Sequence, residues 1–438
     1  MKKSKLRLLA SALVSLLLFA SVLLGVAASA YVAPASALGM SGKLTEVGNI
    51  DLDEIRKQYL SDEVKEAERF SYEGDRWVIV ELEGESLYDL YKKSQGYADF
   101  SAYCASEEAQ AAKAALEQKH AAFRDELNAA GISYTYKYSY TTLTNGLALR
   151  VSAADGKALS LREGVSGVYF SERYAVPKVA VTNNANVYTT GIYDATGISY
   201  KGEGMVVAIL DTGLDYTHEA FATMPTSPAW DKAEVARRMA AASLFYASAG
   251  VDDVYYNSKV PFAYDYADED ADVFPQYSSH GTHVAGIVAG KSGYVVNKDT
   301  GETFLGVAPE AQLVIGKVFT DNLDSDGIGG ANAIDILTAV SDCTALGVDI
   351  INMSLGSSAG FSDEKSDTFL NGIYAKVKEA GISLVVAASN DYSSGFGGGH
   401  GTNLASNPDS GTVGSPSTYD AALSVASING QKASYIFA

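Results

Sequence analysis

Four short segments carry residues that could do chemistry together. The apolar run 206–210 ends in Asp211-Thr212-Gly213, a carboxylate followed by a tight turn. Ser279-His280-Gly281-Thr282-His283 opens a small-residue helical stretch that continues to Gly290. The partial positive charge at a helix start favours the neutral imidazole, the form that can act as a base. Asn352-Met353-Ser354-Leu355-Gly356-Ser357 leaves an apolar run into an extended turn, a backbone edge with which a peptide could pair as an added strand. The run 384–388 ends in Ser389-Asn390-Asp391, where the Asn390 amide could donate to a developing oxyanion. A carboxylate that orients an imidazole, an imidazole that moves a proton and an amide that stabilises an oxyanion are the parts of acyl transfer. Each has a plain alternative: Asp211 as a turn former, His280 as a satisfied core histidine, Asn390 as a cap. A zinc pair of His280 with His283 lacks the His-Glu-x-x-His spacing of helical zinc sites.

In this order, Asp, His, then Asn, the segments resemble the subtilase family of serine peptidases. The resemblance implies that Asp211 is the triad aspartate, His280 the general base and Asn390 the side-chain oxyanion donor. It further implies that Ser354, Leu355 and Gly356 line the primary specificity pocket. Segment 326–330, with Gly327, resembles the facing substrate-binding strand, and Gly414-Ser415-Pro416 the far wall of the pocket. The acidic insertion between Asp211 and His280, Ser389-Asn390-Asp391 and the glycine-rich loop at 395–401 look most similar to cell-envelope proteinases of the lactocepin type. Two departures stand out. The family's Gly-Thr-Ser-Met-Ala signature is absent, since the Gly-Thr pairs at 281–282, 401–402 and 411–412 are never followed by serine. Ser389 also stands where many relatives have glycine. The nucleophile is therefore expected in a later segment, and the chain as it stands is expected to hydrolyse nothing. The alternative is a catalytically dead, secreted binding protein. A pepsin-like pair, Asp211-Thr212-Gly213 with Asp409-Ser410-Gly411, would require an all-β architecture and gives His280 no role.

The elements that must hold these residues follow two grammars. From residue 76 the order is strand (77–82), helix (106–130), strands (134–140 and 146–151), helix (153–161) and strand (165–170), the split βαβ pattern of a small α+β, ferredoxin-like domain. Beyond residue 197, short apolar strands at 205–210, 312–319, 348–353, 382–387 and 422–426 alternate with helices at 331–346 and 369–380. Strands without polar alternation are buried on both faces, which predicts a doubly wound, mostly parallel α/β sheet with its active site at the carboxyl edge. The subtilase resemblance covers residues 202 onward. It implies that the 76–180 domain is an inhibitory propeptide, released by cleavage in the polar linker at 181–196.

Composition bounds the rest. Basic residues followed by an apolar run at 8–26 and Ala28-Ser29-Ala30 read as an export signal cut after Ala30, with a retained membrane anchor as the rival. Residues 31–75 form a polar connector with a short helix at 52–69. A formal net charge of −20 argues against nucleic-acid partners. The expected partners are protein or peptide substrates and the chain's own propeptide, in a secreted or cell-envelope setting. Two cysteines, Cys104 and Cys343, fall in separate predicted domains, so no disulfide framework is expected. The acidic run 265–272 reads as a solvated loop rather than a cation site. No cofactor is needed for the chemistry. In segment 291–305, Asn297, Asp299 and Glu302 offer oxygens for a structural calcium ion, at a spacing unlike the family's calcium loop.

Overall fold

The computed structural model describes residues 69–176, 200–242, 249–299, 301–323, 329–357, 364–389 and 413–426. The expected signal, connector helix, cleavage linker, Gly327, Asn390, the 395–401 loop and Asp409 lie outside the described residues.

The first half of the chain builds a four-stranded antiparallel sheet from β1 (Asp75–Leu82), β2 (Thr135–Tyr140), β3 (Gly146–Ser152) and β4 (Val165–Phe170), in the order β2-β3-β1-β4. This is the ferredoxin-like arrangement read from the sequence. Strand alternation divides the side chains. Val78, Val80, Leu147 and Leu149 face a core made with α3 (Glu107–Ala129) and α4 (Ala153–Ser160), while Ile79 and Ala148 face the other way. Ser106 caps α3 by accepting from the Ala109 amide, and Glu107 and Glu108 sit in its first turn, both favourable at the positive end of the dipole. Between β1 and α3 lie two five-residue helices, α1 (Leu87–Tyr91) and α2 (Phe100–Cys104), too short to show periodicity in the sequence.

The second half forms a six-stranded parallel sheet from β6 (Val206–Asp211), β7 (Phe262–Asp265), β10 (Gln312–Lys317), β12 (Ile350–Met353), β13 (Ser383–Ala387) and β14 (Ala422–Val425), in the order β14-β13-β12-β6-β10-β7. Two helices, α5 (Lys232–Ala242) and α6 (Val251–Val254), fall between β6 and β7. Chain order turns at β6, which receives β10 on one side and β12 on the other, so a crevice opens at its carboxyl end. One face of the sheet, with Val207, Ile209, Leu313 and Ile315, is covered by α7 (His280–Ala289) through Val284, Ala285 and Ala289. The other face, with Ala208, Leu210 and Val314, packs on α8 (Ala333–Leu346) and α9 (Glu364–Glu379). Every residue of α8 is buried.

Five strands were not legible in the sequence. Strand β7 has only four residues. Segment 291–305 folds as a hairpin of β8 (Lys291–Asn297) and β9 (Glu302–Leu305). Residues 173–175 form β5 (Arg173–Ala175), which pairs antiparallel with β11 (Gly330–Asn332), so the expected helix at 331 begins two residues later. Cys104 and Cys343 are both free and buried, and they share one hydrophobic cluster that spans the two sheets. Among the described residues no helix is long and apolar enough to cross a membrane.

Candidate active site

Asp211 ends β6 and is almost wholly buried; His280 begins α7 across the crevice, its side chain 13% exposed. The imidazole Nδ1 lies 2.8 Å from Asp211 Oδ1 and 3.0 Å from Oδ2. An ionised carboxylate only accepts, so the contact places the ring proton on Nδ1 and leaves the Nε2 lone pair of the neutral ring facing outward from the pair. The Thr212 amide also donates to Asp211 Oδ1, at 2.7 Å.

Thr212 joins the two motifs. Its hydroxyl accepts from the Gly281 amide at 2.9 Å and donates to the Ser278 carbonyl at 2.8 Å. One step out, the Asp215 amide donates to the Thr282 hydroxyl at 2.8 Å. Glycine is required where the turn and helix meet. A Cβ on Gly281 would stand 2.3 Å from the Gly213 carbonyl oxygen, and Gly213 itself has φ 103°. His283 is exposed one turn along, and partial burial with the neighbouring His280 holds its pKa below the usual histidine range. Among the described residues no group of three His, Cys, Asp or Glu side chains is placed to hold a metal ion.

Of the expected pocket residues, those at 354–356 and 414 lie in two segments that meet each other. Asn352 donates from Nδ2 to Ser354 Oγ at 3.1 Å, and Leu355 is buried. The Ser357 amide donates to the Ser415 carbonyl at 2.9 Å, closing a bridge between the two segments. Gly356 and Gly414 sit at that bridge: a Cβ on Gly414 would stand 2.3 Å from the Ser357 carbonyl oxygen, and one on Gly356 would stand 3.1 Å from the Ser415 carbonyl oxygen. The Gly414 amide reaches the Ala388 carbonyl at 3.1 Å, so the end of β13 joins the same cluster. Ser389 has φ 114°, a left-handed conformation that favours glycine, in keeping with its departure from the family pattern.

The acidic run departs from the reading of a solvated loop at its start, while Glu269, Asp270 and Asp272 are exposed in keeping with it. Asp265 is fully buried, and its carboxylate meets the Lys317 ammonium, which also contacts Asp268 at 3.3 Å and Asp321 at 2.8 Å. A signal for this was present in the sequence. A lysine closing a strand buried on both faces demands carboxylate partners, and the run 265–268 supplies two.

The subtilase family matches residues 202–437, and the chain belongs to it. The doubly wound parallel sheet is thus a subtilisin-like fold. The chain is similar to the PIII-type proteinase of Lactococcus lactis subsp. cremoris (strain SK11), 33% identical over 66% of this chain and 14% of that protein. It is likewise similar to the C5a peptidase of Streptococcus pyogenes serotype M3, 35% identical over 53% of this chain and 18% of that protein. The resemblance to lactocepin-type subtilases is borne out by these relatives. Among solved structures, the epidermin leader peptide processing serine protease of Staphylococcus aureus aligns with 80% of this chain and 69% of its own, at 12% identity and a TM-score of 0.46.

Proposed function

We propose that the chain is the amino-terminal part of an exported serine endopeptidase that hydrolyses peptide bonds through an acyl-enzyme, with Asp211 and His280 acting on a serine from a later segment. The observation that carries this reading is the Asp211–His280 contact at the carboxyl edge of β6, within a chain that belongs to the subtilase family. The absence of Gly-Thr-Ser from the sequence and the far greater length of the lactococcal relative support a later nucleophile.

In this mechanism His280 Nε2 takes the proton of the serine hydroxyl as its oxygen attacks the scissile carbonyl carbon. Asp211 holds the ring in the Nδ1–H tautomer and stabilises the imidazolium. Asn390 donates to the tetrahedral oxyanion. Collapse passes the proton from Nε2 to the leaving amine, and water then repeats the sequence on the acyl-enzyme. Segments 354–356, 414–416 and 326–330 hold the substrate, Gly327 belonging to the last.

Domain 76–180 is proposed to be the inhibitory propeptide, cut in the linker at 181–196. Strand β5, the chain leaving that domain, lies antiparallel to β11, which follows directly on the 326–330 segment that would hold an extended substrate on this reading. The apolar run 8–26 supports export. A structural calcium ion at 291–305 belongs to the same proposal and takes no part in the chemistry.

Kinetics of the full-length enzyme on an unstructured peptide test the reading. His280→Ala should abolish turnover almost as fully as loss of the serine, because base and nucleophile act as a unit. Asp211→Asn should be severe through the wrong tautomer, and Asn390→Ala milder, at about 10²- to 10³-fold in kcat, a magnitude carried over from subtilisin itself. Near-normal turnover in His280→Ala would refute the assignment, and no hydrolysis by the unaltered enzyme would favour a binding protein.

A further inference from the structure

We propose that Lys317 is a positioning residue for the peptide-binding edge: its buried ammonium stands as a built-in cation among Asp265, Asp268 and Asp321 and fixes residues 329–330, the described end of the segment that holds an extended substrate. The proposal deepens the protease reading above and rests on it.

Lys317 is the last residue of β10, in register with Asp211 on β6 and with Asp265 on β7. Its side chain is 2% exposed, and its stem runs beneath the turn after Asp211, where a Cβ on Gly213 would stand 3.0 Å from Lys317 Cδ. Burial alone would pull the ammonium pKa down, but the carboxylates of Asp265 and Asp321 hold it above the ordinary lysine range. The three carboxylates come from two segments: Asp265 ends β7 and Asp268 lies in the turn that follows, while Asp321 lies in the loop after β10. Without a cation between them they would repel one another in a poorly solvated site.

The cluster leads outward to the edge strand. Asp268 Oδ1 accepts from the Thr320 hydroxyl and, at 2.7 Å, from Asn322 Nδ2; its Oδ2 accepts from the Asp321 amide at 2.8 Å. Thr320 in turn donates its amide to the Gly330 carbonyl at 3.1 Å, and Phe319 bridges Ala331. Ala331 is the centre of β11, the strand already paired with β5. Asp321 Oδ1 also accepts from the Gln276 amide at 3.3 Å, on the segment that precedes His280. The bonds that seat His280 on Asp211 run through Thr212 and Gly281 and do not involve Lys317. Losing the ammonium should therefore loosen the substrate edge before it disturbs the catalytic pair.

The test compares two substrates in the full-length protease: a peptide extended by several residues before the scissile bond, and a single-residue ester that does not reach 329–330. Lys317→Met, which keeps the apolar stem under Gly213, should lower kcat/KM on the peptide by up to about 100-fold, mainly through KM, while the ester changes little. In Lys317→Ala, added n-propylammonium should restore peptide cleavage and leave ester cleavage where it was. Equal losses on both substrates, or no loss on either, would overturn the proposal. So would a Lys317→Ala variant whose folding and peptide cleavage the amine does not restore, which would make the lysine a purely structural cation. If the unaltered enzyme cleaves neither substrate, the protease reading fails first and carries this one with it.

Discussion

Gly281 shows how tightly single residues constrain the Asp211–His280 pair. A methyl group there would meet the Gly213 carbonyl oxygen at 2.3 Å, the Gly213 nitrogen at 3.0 Å and Asp211 Cβ at 3.1 Å. Two of these are backbone atoms that cannot rotate away, so the start of α7 would have to withdraw from β6. A displacement of about 1 Å in the reacting groups can cost about 100-fold in rate. Gly281→Ala should therefore lower kcat by about that factor and remove the low-field Nδ1–H proton resonance of His280. Gly286→Ala, on the same helix, meets only Phe304 Cζ at 3.7 Å and should leave both intact. Asp211 and His280 were legible in the sequence because their motifs recur in fixed order around a sheet edge. Thr212 was not, because a threonine in a turn gives no sign that its hydroxyl will bridge two segments 66 to 69 residues away. Lys317 could have been found by asking what neutralises a charge inside an apolar strand.

At the scale of elements, β2 is the strand that fastens the small domain to the peptidase fold. Lys137 Nζ donates to Asp335 Oδ1 at 2.7 Å and to the Ala267 carbonyl at 3.0 Å, while the Tyr140 hydroxyl donates to the Ile334 carbonyl at 3.0 Å. Tyr138 donates to the Tyr266 carbonyl alongside. Burial pushes the Asp335 carboxyl above its usual range, and Lys137 opposes the shift. Lys137→Met would leave that carboxylate buried with only the neutral donors Asn332 and Tyr138 beside it. Losing one partner of a buried charge pair costs about 2–5 kcal/mol of binding. On the propeptide reading, the inhibition constant of a small domain supplied separately should rise accordingly, by tens- to thousands-fold. The sign of the pH dependence follows. In the variant the bound state takes up a proton on Asp335 more readily than the free state, so binding should recover as pH falls. A loss of affinity that is the same at every pH would exclude Asp335 as the cause. Strands such as β6, β10, β12 and β13 and helices such as α3 and α8 were legible because each shows either unbroken apolar character or a clear period, whereas the seven-residue β8 shows neither. The five-residue helices α1 and α2, the four-residue β7 and the three-residue β5 and β11 are shorter than the windows over which those patterns emerge.

Across the whole molecule, the small domain divides its apolar side chains between two cores. Val78, Val80, Phe123, Leu127, Leu147 and Leu149 form a core of its own. Ile79, Tyr138, Tyr140 and Ala148, together with Leu87, Tyr88, Phe100 and Tyr103 from the helical insertion, belong instead to the cluster built around Ile334, Leu337, Ile373, Tyr374 and Val377 of α8 and α9. Separation would leave those eight side chains uncovered on the small-domain side. At about 1.5–3 kcal/mol for each large apolar group, the shared cluster contributes on the order of 10 kcal/mol. That is comparable to the whole stability of an ordinary domain, about 5–15 kcal/mol. The polar residues of α8, Asp335, Thr338 and Asp342 among them, are better suited to uncovering, since they would regain water. The small domain should accordingly depend on its partner more than the peptidase fold depends on it. Residues 69–176 produced alone are expected to keep helical and strand signals in far-ultraviolet dichroism, bind an apolar dye and unfold over a broad urea range. In the intact chain the same residues should unfold in one sharp transition together with the peptidase fold, as followed by amide exchange at Ile79 and Tyr138. If the isolated domain unfolded sharply, at the midpoint seen in the whole chain and without binding dye, the shared cluster would contribute little and the two parts would be independent.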